Sequence, residues 1–83
     1  ERDRLIVSKG HISPAVYVTL AENGYFSKEE LSGFRKLGSR LQGHVHKGVP
    51  GVEFSTGSLG HGLSVSNGLA IGARIKRKDY TVF

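Results

Sequence analysis

The chain has 83 residues, a length that allows one domain at most and leaves only a marginal core. Twelve Lys and Arg stand against seven Asp and Glu, giving a formal net charge of +5, and there is no Cys. The charge favours anionic partners in general, while the lack of Cys excludes a disulfide framework and a thiolate metal site and allows a reducing compartment.

No apolar run approaches a membrane span and no signal peptide is visible, so no membrane partner is expected and the cytoplasm is the default location. The bases cluster at Arg35, Lys36 and Arg40 and again at Arg74, Lys76, Arg77 and Lys78. The second cluster complements the negative end of a helix dipole without any ligand. Nucleic acid would call for interleaved aromatic residues or a recognisable module, and neither is present. The chain contains no Met and stops on "YTVF", which reads as a strand just begun. Residues 1–83 are therefore expected to be part of a longer domain, truncated at both ends.

In chain order, "RLIVS" (residues 4–8) is a short apolar, β-branched run and reads as a buried strand. Ser13 stands where an N-cap would, with Pro14 at the first helical position of "PAVYVTLAEN" and Gly24 as the left-handed residue that closes it. "SKEE" is a capping box that predicts a second helix, from Ser27 to near Leu37 and Gly38. Residues 39–56 carry Gly43, Gly48, Pro50 and Gly51 with little periodicity and read as a long irregular connection.

Residues 59–76 read as a helix in which Gly60, Ser64, Gly68 and Gly72 recur every fourth position. The stripe would let another backbone or a ligand come close, with Leu63, Leu69, Ile71 and Ile75 as apolar cover elsewhere. Lys78 and Asp79 turn the chain into a last strand. The order is strand, helix, helix, long loop, helix, strand, an α/β pattern with a parallel sheet flanked by helices.

Gly57, Gly60 and Gly62 are spaced G-x-x-G-x-G at a helix entry, where free backbone N–H groups hold anions or polar heterocycles. This is neither the dinucleotide fingerprint nor the Walker pattern, and Asp79 precedes a strand where a ribose-binding acid should end one. His11 falls at the C-terminal end of the first strand, the edge at which open α/β sheets bind ligands. His44 and His46, two apart, would need a third His to hold a metal. His46 reads as a solvated loop residue, whereas His11 and His44 each follow a Gly in a polar loop and suit contact with substrate or phosphate. Glu53 is the only acid of the loop region, so no carboxylate pair exists, and there is no G-x-S-x-G elbow.

Taken together, "RLIVSKGHISPAVY", "FRKLGSRLQGH" and "PGVEFSTGSLGHGLSVSNGLAIGARI" resemble the transketolase family, in its N-terminal thiamine-diphosphate-binding domain. The likeness runs in order across essentially the whole chain. It implies an enzyme, single-chain or split into two subunits, that uses thiamine diphosphate to move a two-carbon ketol unit from a ketose phosphate to an aldose phosphate. Position by position, His11 matches the His of the family's S-x-G-H segment, which approaches the diphosphate end of the cofactor. His44 matches the His of the P-G-H segment, which hydrogen-bonds the sugar near its reacting end and is the catalytic candidate here.

Gly57, Ser58 and Leu59 match the T-G-P-L-G-Q-G segment, whose main chain meets the cofactor. Ser58 stands where Pro is common, and His61 where Gln is common. Magnesium is implied as well, held by a Gly-Asp-Gly…Asn motif that would begin after the "YTVF" strand, so no metal ligand is expected within these residues. The partners implied are sugar phosphates and either a second copy of the enzyme, as a homodimer, or a C-terminal transketolase subunit.

Two neighbouring thiamine-diphosphate enzymes, a dihydroxyacetone synthase and a sulfo-sugar transketolase, share these motifs. The alternative from a different class is a non-catalytic interaction module with a transketolase-like fold, although such a module would have no need of His11 or His44. The 83 residues by themselves are expected to be inactive.

Overall fold

The computed structural model describes residues 2–83. Two α-helices carry it, α1 over Ser13–Glu22 and α2 over His61–Ile75, with 3-10 helices at Gly10–Ile12 and Lys28–Gly33. Helix α1 starts one residue earlier than Pro14 and follows directly on the first 3-10 helix. Ser13 is thus not the N-cap: Ile12 takes that place, and the Ser13 hydroxyl donates to the carbonyl of Gly43 at 2.7 Å instead. Gly24 does close α1 with a φ of 81°.

The expected second α-helix is replaced by the 3-10 helix Lys28–Gly33. Both halves of its capping box are engaged elsewhere: the Ser27 hydroxyl pairs with the Glu29 carboxylate, and Glu30 takes two hydrogen bonds from Arg40, at 2.6 and 2.9 Å. Without reciprocal capping the segment tightens to i+3 bonding and stops at Phe34, whose ψ of 126° is extended.

The two segments expected as strands lie side by side and parallel, but no regular strand forms among the described residues. Arg4 and Val82 make one isolated parallel bridge, with Arg4 N–H donating to Thr81 at 2.9 Å, Phe83 N–H to Arg4 at 2.8 Å and Ile6 N–H to Phe83 at 2.9 Å. A strand becomes a ladder only over several residues of pairing, and residues 4–6 meet only residues 81–83. The helix-flanked parallel sheet is in this respect not shown.

Residues 39–56 have no regular structure, yet they are packed. Leu41, Val45 and Val49 are buried, and Leu41 and Val49 form the core with Tyr17 of α1, against Phe26, Leu31, Phe34 and Val52. The stretch joins the rest of the chain through Val45 N–H to the Gly10 carbonyl and is tied to itself through Thr56 N–H to the Val45 carbonyl, both at 3.2 Å. Burial of its apolar residues and pairing of its backbone replace periodic structure as the source of order.

Helix α2 begins after Gly60, whose φ of 88° is left-handed. The expected close approach occurs away from the small-residue stripe. A Cβ on Gly62 would lie 2.6 Å from the Ser8 Cα, whereas nothing stands within 4 Å of one on Gly68 or Gly72. Leu63, Ile71 and Ile75 of α2 are exposed, and Ala73 is its buried apolar residue.

Candidate functional site

Three separate segments meet where α1 and α2 begin. The first is residues 8–13, in which a Cβ on Gly10 would lie only 1.9 Å from the Thr56 carbonyl oxygen, so the main chains pack directly. The second is the loop around His44, and the third is the turn 56–62. The His11 and His44 rings meet edge to face, with centroids 4.8 Å apart and planes at 63°. A Cβ on Gly57 would come 3.7 Å from His44 Cδ2, an ordinary contact. His11, His44 and Gly57 therefore share one surface although 46 residues of sequence separate the first from the last.

The turn 56–62 is held from behind. Gly60 N–H donates to the Ser8 carbonyl at 2.9 Å, Leu63 N–H to the Ser8 hydroxyl at 3.1 Å, and His61 N–H to the Ser58 carbonyl at 3.1 Å. The N–H groups of Gly57, Ser58 and Leu59 have no protein acceptor among the described residues, and Leu59 is exposed. Unpaired N–H groups at the entry of a helix attract anions and polar ring nitrogens. The Thr56 hydroxyl is buried and also lacks a partner among the described residues. The segment matched in the sequence begins at this Thr, but the burial of its hydroxyl is not visible in the motif.

The remaining histidines have other partners. His46 is exposed and its Nδ1 accepts the Gly48 N–H at 3.0 Å, which makes it a turn former. His61 packs edge-on to Phe54, centroids 5.7 Å apart. Among the described residues no group of three His, Cys, Asp or Glu converges as a metal site, so His44 and His46 find no third ligand. No helix here is long and apolar enough to cross a membrane.

A bare helix entry offering backbone donors, with two imidazoles beside it, is a surface of the kind that suits an anion. The thiamine diphosphate binding domain of transketolase matches residues 1–82, and the chain belongs to that family. It is 46% identical over 83 residues to an apulose-4-phosphate transketolase subunit of Phocaeicola vulgatus, covering 100% of this chain and 30% of that protein. To the 6-deoxy-6-sulfo-D-fructose transketolase subunit SqwG of Clostridium sp. strain MSTE9 it is 39% identical over 84 residues, again 100% of this chain and 30% of the relative. Transketolase 2 of Escherichia coli strain K12 is 49% identical over 76 residues, 89% of this chain and 11% of that enzyme. The chain thus spans about 30% of the length of the subunit-type relatives.

The surface fits thiamine diphosphate. A Cβ at Gly57 would make only an ordinary contact with His44, so the packing of the chain itself does not call for Gly there.

Proposed function

We propose that this protein is the diphosphate-side cofactor-binding part of a transketolase that carries a two-carbon ketol unit from a ketose phosphate to an aldose phosphate. The observation that carries the reading is the convergence of His11, His44 and Gly57 from three segments onto one surface. Thiamine diphosphate, when bound, supplies the carbon nucleophile that breaks the bond beside the ketose carbonyl. His11 and the main chain of Gly57, Ser58 and Leu59 hold it. His44 donates a hydrogen bond to the sugar and so orients the reacting carbonyl. Magnesium is the counter-ion that a diphosphate calls for, and its ligands are proposed outside the described residues.

Two of the relatives are named as transketolase subunits, and the proposed partner is accordingly either a C-terminal transketolase subunit or a second copy of the enzyme. A cysteine-free chain suits the reducing cytoplasm as the place of action. The relatives' names speak of a phosphorylated and a sulfonated sugar, and an anionic sugar is accordingly the proposed substrate class.

In the whole enzyme, His44→Ala is expected to lower kcat/KM for a ketose phosphate by about 10² to 10³, with thiamine diphosphate affinity changed less than about twofold. His11→Ala is expected to weaken cofactor binding about tenfold. Steady-state kinetics with calorimetric cofactor titration separates the two. Normal kinetics in the His44 variant would remove that residue from the site, and normal cofactor affinity in the His11 variant would do the same for His11.

A further inference from the structure

The backbone on both sides of His44 is held by two side chains of α1, Ser13 and Tyr17. Ser13 and Tyr17 lie four residues apart, hence on one face of α1, and are 0% and 1% exposed. The Ser13 hydroxyl donates to the Gly43 carbonyl at 2.7 Å, and the Tyr17 hydroxyl to the next carbonyl, that of His44, at 3.0 Å. The N–H that follows, on Val45, donates to the Gly10 carbonyl at 3.2 Å. The peptide plane before the His44 Cα is thus held at its oxygen. The plane after it is held at both its oxygen and its nitrogen.

Those two planes fix φ and ψ of His44 and with them the direction of its Cβ. From this geometry we infer that Ser13 and Tyr17 are positioning residues for His44, through which α1 sets the imidazole that meets the sugar. The inference rests on the substrate role of His44 proposed above. A loop without regular structure acquires a backbone pinned on both sides of the residue that needs one, which is the arrangement a preorganised site requires. Burial raises the Tyr17 phenol above its ordinary range, so the hydroxyl stays protonated and remains a donor. The Tyr17 ring has a separate task, packing with Leu41, Val49 and Phe34 in the core, so the hydroxyl and the ring can be tested apart.

The test uses the complete enzyme, with its partner subunit if split, and the variants Tyr17→Phe, Ser13→Ala and His44→Ala singly and in pairs. Tyr17→Phe keeps the ring in the core and removes only the donor, so it carries the test alone if Ser13→Ala does not fold. Tyr17→Phe is expected to lower kcat/KM for a ketose phosphate about tenfold, with calorimetric thiamine diphosphate affinity within about twofold of the parent. Added to His44→Ala, it is expected to cost less than about a further twofold, because the residue it positions is gone.

A Tyr17→Phe enzyme with parent kinetics, when His44→Ala is impaired, would overturn the positioning role and leave the substrate role standing. A loss that persists in full on top of His44→Ala, or that is matched by lost cofactor affinity, would overturn it too, by showing a general structural effect. Parent kinetics in His44→Ala itself would overturn the substrate reading, and the positioning role with it.

Discussion

An alanine Cβ at position 10 would lie 1.9 Å from the Thr56 carbonyl oxygen and 2.5 Å from its carbonyl carbon, and both are backbone atoms. Neither can rotate away, so the two segments that carry His11 and Gly57 would have to separate. Gly10→Ala is expected to cost about 3 kcal/mol, the upper end of the usual cost of overpacking, and to weaken cofactor binding as well. Chemical denaturation and calorimetry measure the two effects, and a stability within about 0.5 kcal/mol of the parent would show that the segments are free to part. At this scale the sequence was informative about His11, His44 and Gly57, because motif spacing makes each of them visible. It was silent about Ser13 and Tyr17 as partners of the His44 loop. Ser13 before Pro14 satisfies every local requirement of an N-cap, and its actual acceptor, Gly43, lies 30 positions away.

The element that departs most from its sequence pattern is the 3-10 helix Lys28–Gly33. Its Glu30 carboxylate receives two hydrogen bonds from Arg40, which hold its pKa below the ordinary range, while the Ser27 hydroxyl does the same for Glu29. A lowered folded-state pKa means that the Glu30 contribution is present above the ordinary carboxylate pKa and is lost as pH falls through the folded value. In an NMR titration the Glu30 carboxyl is expected to titrate below its ordinary range and to return to it in Arg40→Ala. An unchanged midpoint in that variant would remove the Arg40 pairing as the cause. A capping box is a local signal, and a cation ten residues on that competes for its Glu is not visible in it. Gly24, in contrast, behaves as its position predicts, with a φ of 81°, whereas Gly60, read as the first small residue of the helical stripe, stands outside α2 with a left-handed φ of 88°.

For the molecule as a whole, order in residues 39–56 depends on a core that α1 and the loop build jointly. Leu41 is 0% exposed, packed with Tyr17 and Val49. Leu41→Ala is expected to cost about 2–5 kcal/mol, and through the same contacts to loosen the His44 loop. Unfolding midpoints together with amide exchange at Val45 report both, and protected exchange at Val45 in a destabilised variant would uncouple the loop from the core. The sequence by itself determined the family and the two α-helices to within a few residues, because helix period, glycine turns and ordered motifs are short-range signals. Tertiary structure alone decided that residues 4–6 and 81–83 pair at one bridge, that close approach falls on Gly62 and not on the small-residue stripe, and that the Ser13 hydroxyl serves the loop. Each of these is a contact between groups far apart in the chain, and its energy depends on which partner comes within reach, a quantity that no local pattern contains.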